Sequence, residues 1–391
     1  MLTKVIASSQ EPYNILSIDD GGLRTIVAAE ILGEFEDRTN KKITDLFDAF
    51  VGSSSGGLAA LMLNSGKYSA KDVVQQFEDS WTTDAIFSPV KQLGEGIGTQ
   101  IFADVLGISF GIPGLIIGGG SGGLLGFLVG AHPGAAMMGA TGAMGGATTG
   151  FNIGAGIGKG IGKGVEGLFY DHEYAKNYKY VPNGLVKFSE KLFAKEKMSE
   201  GIRDILVPCY DISNGQSVLF TNTEFPNYLV GDVAAATLSA PTFFPPRNIE
   251  TKLYSAGSIV TVNPAQLGLE RARTQFQKEN INLVSFGGGE LESASYTQDQ
   301  WESLYWSSST CPVSSFGHYQ EVCSSVATTC SQDLEKGTHF RLALQTKKIV
   351  PWDANSREDD RHYLKEVARR LIEENTDYIN TVCRRIDKNF G

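Results

Sequence analysis

The sequence predicts an α/β fold in which helices cover a mainly parallel sheet. Two observations support this prediction. Near the N-terminus, an apolar run at residues 14–18 is followed by a glycine-rich turn and a helical pattern over residues 25–37. The same order returns at residues 47–64, where an apolar strand leads through a tight turn into an apolar helix. Alternating strands and helices of this kind are typical of parallel α/β proteins.

Further strands and one closing helix extend this pattern. Apolar runs at residues 206–210, 217–221 and 282–286 predict additional strands. Residues 359–387 carry the apolar stripe of an amphipathic helix, and we expect one long helix that packs against the sheet body. The 391 residues are enough for one large core or two modest ones.

Composition excludes several classes of function. The formal net charge is −10, and non-specific binding to nucleic acid requires clustered Lys and Arg, so we expect no nucleic-acid partner. The five cysteines form no Cys-x-x-Cys pair, which indicates free thiols in a reducing compartment. No zinc pattern or calcium loop is visible, so we expect no metal and no cofactor. The N-terminus lacks the apolar stretch of a signal peptide, which indicates a cytoplasmic protein.

Residues 93–168 have a different character and predict an insertion. Between Val105 and Gly158 there is no Asp, Glu, Lys or Arg, and Gly recurs every fourth residue over 114–134 and again over 142–158. At helical spacing this pattern places a glycine ridge on one face, as in GxxxG membrane helices. The segment therefore predicts a helical hairpin that seeks a lipid bilayer or packs with a second copy of the chain. A flexible loop is the alternative, because Gly costs a helix about 1 kcal/mol relative to Ala.

A candidate nucleophile lies at the second strand-to-helix turn. Residues 52–56, GSSSG, fit the Gly-x-Ser-x-Gly pattern directly after an apolar strand and before an apolar helix. Such a turn exposes the hydroxyl of Ser54 and directs helix amides toward developing negative charge. Two ways to activate Ser54 stay open. A triad would use a histidine such as His318 or His339, neither in an obvious motif, whereas a serine activated by a carboxylate needs no histidine.

Three further segments carry a resemblance to a known family. Residues 18–24 read IDDGGLR, residues 234–246 read AAATLSAPTFFPP, and residues 254–264 read YSAGSIVTVNP. With the serine turn, their order and spacing resemble those of the patatin-like phospholipases. The resemblance covers roughly residues 14–90 and 180–385, including a strand at 340–344 and the closing helix. It implies a three-layer α/β/α fold with a mainly parallel central sheet, to which the glycine-rich segment adds a helical hairpin or flexible insertion.

The resemblance also implies a role for each site residue. Ser54 would attack the acyl carbon of a membrane phospholipid, as one member of a Ser–Asp dyad. The amides of Gly21 and Gly22 would stabilise the oxyanion, because glycine lets the backbone approach the reacting carbonyl closely. Arg24 would brace this loop or bind a lipid phosphate. The family uses neither a metal nor a cofactor, and nothing in the sequence identifies an activating ligand.

Two positions depart from the family pattern. The dyad aspartate belongs at position 256, where this chain has Ala256, which cannot accept a proton. Loss of a general base typically costs about 10²- to 10⁴-fold in rate. The first glycine of the oxyanion loop is replaced by Asp20, whose carboxylate either opposes the oxyanion or points away and caps the following helix. We therefore expect an inactive or very weak enzyme, either through an introduced substitution at Ala256 or as a natural pseudoenzyme.

The expected function is that of a phospholipase A-type serine esterase that associates with membranes. The expected domains are residues 1–92 and 169–391, which together form the patatin-like body, and the insertion at residues 93–168. Bacterial members of the family serve as lipid hydrolases, injected toxins or defence effectors, and the sequence favours none of these roles. The alternative is a catalytically dead protein that binds, enters or permeabilises membranes through its glycine-rich segment.

Overall fold

The protein is described by a computed structural model. The described residues are 11–81, 85–88, 178, 180–241, 243–291, 312–334, 338–346, 350 and 358–390; within them, the side chains of 289–291, 312–322 and 344–346 are not described. The predicted insertion at 93–168 lies outside the described residues. The chain divides into two units, one comprising Met1–Ser88 and Pro182–Gly391, the other Pro89–Val181. The description below concerns the first unit, and the predicted domain boundaries remain predictions.

One sheet organises this unit. Its strands are β1 (Tyr13–Ile18), β2 (Ala49–Gly52), β3 (Asp204–Asp211), β4 (Gln216–Thr221), β5 (Arg247–Ile249), β6 (Lys252–Ser255), β7 (Ile281–Leu291) and β8 (His339–Thr346). The order is β5-β6-β3-β2-β1-β7-β8, with β4 paired to β3. In this order the neighbours β3, β2, β1, β7 and β8 pair in parallel. The strands β4, β5 and β6 pair antiparallel with their neighbours. The predicted α/β fold with a mainly parallel sheet is confirmed.

Helices cover both faces of the sheet. They are α1 (Thr25–Thr39), α2 (Ile43–Leu46), α3 (Ser55–Asn64), α4 (Ala70–Ser80), α5 (Pro182–Phe193), α6 (Val230–Leu238), α7 (Ala265–Thr274), α8 (Pro312–Asp333), α9 (Glu358–Glu374) and α10 (Thr376–Ile386).

The central strands are apolar on both sides because helices bury both faces. On one face, Ile15 of β1 and Val51 of β2 join a buried cluster with Leu269 of α7 and Cys330 of α8. On the other face, the rings of Phe286 of β7 and Phe35 of α1 lie 6.1 Å apart. On this second face, helix α3 packs against both α1 and α6. The carboxyl ends of β1 and β2 then meet at one edge of the sheet, where Asp19–Gly22 and Ser53–Ser54 follow them.

Two predicted elements differ from the structure. The second strand begins at Ala49 rather than at residue 47, because the short helix α2 precedes it. The closing segment forms two helices instead of one long helix, with a break at Asn375. The Asn375 and Thr376 side chains hydrogen-bond to the carbonyls of Leu371 and Ile372, and such bonds compete with the helical backbone ladder.

Two further observations bear on the sequence predictions. Cys209, Cys323, Cys330 and Cys383, which are the cysteines in the described residues, form no disulfide. Across the same residues, no helix combines the length and the apolar character that crossing a bilayer would require.

Candidate active site

The serine turn connects β2 to α3 in a strained conformation. Ser54 has φ 51° and ψ −116°, a region that a residue with a side chain rarely adopts. The turn is tight because glycine flanks it. A Cβ at Gly52 would lie 2.2 Å from the carbonyl oxygen of Gly56, and a Cβ at Gly56 would lie 2.3 Å from that of Ile18. The Gly-x-Ser-x-Gly spacing is therefore a steric requirement of this turn, as the sequence predicts.

Hydrogen bonds from both neighbouring segments hold the turn. The Ser54 amide donates to Thr237 Oγ1 on α6 at 3.0 Å, and the Thr237 hydroxyl donates to the Pro208 carbonyl on β3 at 3.2 Å. The Ser53 hydroxyl donates to the carbonyl of Thr261 at 2.6 Å. Thr237 was missed by the sequence reasoning. Its only signal was its place in the Ala-rich segment 234–246, where it is the buried polar residue of α6.

The loop after β1 approaches the serine turn through backbone amides. The amides of Gly21 and Gly22 donate to Ser55 Oγ at 3.0 Å and 2.8 Å. They therefore converge on a single acceptor, which is the arrangement that an oxyanion hole needs. In this structure that acceptor is a side chain of the protein. The predicted oxyanion role stays a prediction, and it requires the substrate oxygen to replace or share Ser55 Oγ.

Asp20 faces the candidate nucleophile. Its carboxylate accepts hydrogen bonds from the Ser55 hydroxyl at 3.0 Å and from the Gly22 amide at 3.4 Å. This carboxylate and Ser54 line the same cavity. Asp20 is only 5% exposed, and burial raises its pKa, against the opposing effects of Ser55, Arg24 and Ser54. The interpretation in which Asp20 points away from the site is therefore wrong.

Arg24 lies beneath the same loop. Its Nε donates to the Gly21 carbonyl at 3.0 Å, and its positive charge lowers the pKa of Asp20. Arg24 is 1% exposed, so its guanidinium does not reach a lipid head-group from this position. Of the two predicted roles, the hydrogen bond to Gly21 supports loop bracing.

Ala256 lies in the turn that follows β6. It is completely buried, and its amide donates to the Ser239 carbonyl at 3.0 Å. The next residue packs against the serine turn. A Cβ at Gly257 would lie 2.8 Å from Thr237 Oγ1 and 3.0 Å from Ser53 Oγ. The turn after β6 therefore lies against Thr237 and Ser53, which hold the serine turn in place. At position 256 its side chain is a methyl group.

An apolar cavity opens beside Ser54 and Asp20. Its volume is about 50 Å³, and Gly22 also lines it. The apolar wall includes Trp81, Ile86, Phe87, Leu185, Leu238 and Phe244. Trp81 packs against Phe87 with ring centroids 5.3 Å apart, and Phe87 packs against Phe244 at 5.6 Å. The site thus combines a polar end that bears a hydroxyl and a carboxylate with an aromatic wall.

The histidine alternative finds no support at His339. Its Nε2 and Nδ1 lie within hydrogen-bonding distance of Ser285 Oγ and Ser331 Oγ, at 3.0 Å and 2.6 Å. Burial, with the nearby charge of Arg341, lowers the pKa of His339 to about 4. Both ring nitrogens are thus engaged away from Ser54. The side chain of His318 lies outside the described residues.

An ion pair between Arg341 and the buried Asp19 lies behind the loop after β1. Arg341 Nη2 donates to Asp19 Oδ2 at 2.7 Å, and this guanidinium opposes the rise that burial causes in the pKa of Asp19. Within the described ranges, no group of three or more His, Cys, Asp or Glu could hold a metal ion.

Several plant proteins are similar in sequence. The chain is 22% identical over 230 residues to patatin-like protein 7 of Arabidopsis thaliana, a match that covers 52% of this chain and 47% of that protein. It is 25% identical over 267 residues to patatin-like protein 2 of Oryza sativa subsp. indica, with 63% of this chain and 48% of that protein covered. The matched part of this chain thus spans about half the length of these curated relatives.

Among solved structures, VipD from Legionella pneumophila is similar at a TM-score of 0.40 and 12% identity, over 93% of this chain and 67% of VipD. The type III effector protein ExoU is similar at a TM-score of 0.32 and 14% identity, over 96% of this chain and 53% of ExoU. The model of the patatin-like phospholipase family matches residues 16–269, more than half of the chain, and the chain therefore belongs to the patatin-like phospholipase family.

Proposed function

We propose that this chain is a serine lipid acyl hydrolase of phospholipase A type, which cleaves fatty acyl esters of membrane phospholipids with Ser54 as the nucleophile. One observation carries the proposal. Ser54 is held at a strained elbow, and its hydroxyl end opens into a cavity whose wall is aromatic and aliphatic. A fatty acyl chain matches such a wall, because burial of apolar surface favours binding by about 25 cal/mol per Å².

The chemistry follows from the groups around the elbow. The Ser54 oxygen attacks the acyl carbon, and the Gly21 and Gly22 amides donate hydrogen bonds to the developing oxyanion, which replaces Ser55 Oγ as their acceptor. The α3 helix begins directly after Ser54, so its amino-terminal dipole favours the same negative charge. Cleavage gives a lysophospholipid and, after hydrolysis of the acyl-enzyme, a free fatty acid. No step in this scheme needs a metal.

Position 256 limits the rate. With alanine there, the chain lacks the dyad carboxylate that the family uses, and we propose that its activity is far below that of an Ala256→Asp variant. A general base contributes about 10²- to 10⁴-fold, and this range is the upper limit of the expected gain. We further propose that the bilayer surface is the site of action, since the substrate resides there.

The test measures release of labelled fatty acid from phosphatidylcholine–phosphatidylglycerol vesicles. Ala256→Asp should release fatty acid faster than the unchanged chain, by at most about 10²- to 10⁴-fold. Ser54→Ala in the Ala256→Asp background should abolish the release. Retention of release without Ser54, or no release by Ala256→Asp, would contradict the proposal.

The same vesicles distinguish the non-catalytic alternative. If the full chain leaks an entrapped dye without releasing fatty acid, and Ala256→Asp changes neither result, membrane permeabilisation is the better explanation. Dye leakage that requires Ser54 would instead follow from hydrolysis.

A further inference from the structure

At two positions of the candidate site, this chain and the family pattern differ in which residue is acidic. Position 256 is alanine, whereas the loop after β1 carries Asp20 where the family pattern has glycine. We propose that Asp20 is the general base for Ser54 in this chain, replacing the base that Ala256 cannot supply. This inference rests on the proposed function and names the group that performs its proton transfer.

Geometry is the first argument. Asp20 and Ser54 line the same cavity. The Asp20 backbone is held by a 2.9 Å hydrogen bond from its amide to the Val262 carbonyl. Its carboxylate is oriented by the Ser55 hydroxyl and the Gly22 amide. A general base must be able to reach the proton that it abstracts, and Asp20 is the acidic residue that lines the cavity beside Ser54.

Charge balance is the second argument. A carboxylate that stayed ionised beside the oxyanion would repel it. If Asp20 takes the Ser54 proton, the carboxyl becomes neutral in the same step in which the oxyanion forms. The site then carries one negative charge before attack and one negative charge after it. The unfavourable pairing of two anions arises only if some other group is the base.

The full cycle balances in protons and electrons. Ser54 Oγ forms a bond to the acyl carbon as its proton passes to Asp20. The ester carbon–oxygen bond then breaks, and the leaving alkoxide receives that proton, which gives the lysophospholipid and an acyl-Ser54. Water donates a proton to Asp20 and attacks the acyl carbon, and the fatty acid leaves as Ser54 recovers its proton from Asp20.

Burial makes Asp20 a stronger base than an exposed aspartate. Burial raises its pKa above the ordinary 3.8, while the Arg24 guanidinium acts in the opposite direction. The neighbouring Asp19 is itself paired with Arg341 of β8. We therefore expect the rate to rise with pH along an acid limb whose midpoint lies above 3.8, as Asp20 ionises.

The experiment compares Asp20→Asn in two backgrounds, with fatty acid release from the same vesicles as the measurement. Asparagine keeps an oxygen that can accept from Ser55 and Gly22 but cannot take a proton. In the unchanged chain, Asp20→Asn should reduce Ser54-dependent release by about 10²-fold or more and abolish the acid limb of Ser54 labelling by a fluorophosphonate. In the Ala256→Asp background, where a second carboxylate can serve as base, the same substitution should slow release far less than in the unchanged chain. A circular dichroism spectrum and a thermal unfolding midpoint like those of the unchanged chain show that the variant folds.

The outcomes separate this inference from the proposed function. If Asp20→Asn does not slow the unchanged chain, or if that chain shows no Ser54-dependent release while Ala256→Asp does, the role of Asp20 is wrong and the hydrolase proposal stands. If neither the unchanged chain nor Ala256→Asp releases fatty acid, the hydrolase proposal fails, and the inference fails with it.

Discussion

The two segments that flank Ser54 differ in which of them carries an acid. The loop after β1 holds a buried carboxylate at Asp20 in a position where the family pattern has glycine. The turn after β6 presents the methyl group of Ala256 where that pattern has aspartate. Each segment is tied to the serine turn by a different serine: Ser55 contacts the loop, and Ser53 contacts the turn. Both segments therefore contact the serine turn, and of the two only the loop after β1 carries a carboxylate at the compared position.

The largest expected effect comes from moving the carboxylate. The double variant Asp20→Gly/Ala256→Asp places glycine and aspartate where the family pattern has them. We expect its fatty acid release to exceed that of the single variant Asp20→Gly, which has neither carboxylate, by about 10²- to 10⁴-fold, because a dyad aspartate would act beside an oxyanion loop free of charge. Asp20→Gly is the control and should be the least active of the set. A double variant no faster than Asp20→Gly would mean that an acid at position 256 does not serve Ser54 as a base.

A second, smaller effect should follow from the two serines that hold the flanking segments. In the unchanged chain, Ser55→Ala removes a hydrogen bond to the Asp20 carboxylate, and hydrogen bonds to charged groups are worth about 1.5–3 kcal/mol. We expect release to fall about 10- to 100-fold. Ser53→Ala removes the hydrogen bond to the Thr261 carbonyl instead, and in the unchanged chain it should reduce fatty acid release less than Ser55→Ala does.

In the double variant the order of these two effects should reverse. Ser55→Ala then frees the Gly21 and Gly22 amides for the oxyanion and should not slow release, whereas Ser53→Ala loosens the turn that carries the new aspartate. Rates measured for both serine variants in both backgrounds give this comparison. The same ranking in the two backgrounds would show that neither serine is specific to one segment.

The sequence predicted the parts of the fold whose signals are local. Apolar runs identified β1 and β2, and the Gly52 and Gly56 spacing identified the serine turn, because steric limits at a tight turn are written in the residues themselves. The break at Asn375 was missed because an amphipathic stripe continues through it, and only side-chain bonds to the preceding turn interrupt the helix.

The site was predictable in its residues but not in its contacts. Ser54 follows from the Gly-x-Ser-x-Gly spacing, whereas Gly21, Gly22, Arg24, position 256 and the unusual Asp20 were identified through the family resemblance. The direction in which Asp20 points depends on Ser55, which accepts the loop amides and donates to the carboxylate. That arrangement depends on how β1 and β2 pair, which places residues 34 apart in the sequence side by side.

The smallest expected effect concerns stability, and it tests whether the loop carboxylate is held at a cost. The pKa of Asp20 is raised in the folded state from an ordinary 3.8, so its ionisation disfavours folding. Its contribution to stability is fully present below pH 3.8 and is lost as pH rises through the folded pKa. Asp20→Asn should therefore raise the free energy of unfolding at pH 7 by on the order of 1 kcal/mol.

This gain should shrink as pH falls toward 4, and urea unfolding at several pH values measures it. Asp79→Asn, which changes an exposed carboxylate on α4, is the control and should show little change at any pH. An Asp20→Asn variant that is less stable than the unchanged chain at pH 7 would mean that the ionised carboxylate holds the loop together. A variant more stable at pH 7 but slower in fatty acid release would be the expected signature of a buried group retained for chemistry, since active sites trade stability for function in this way.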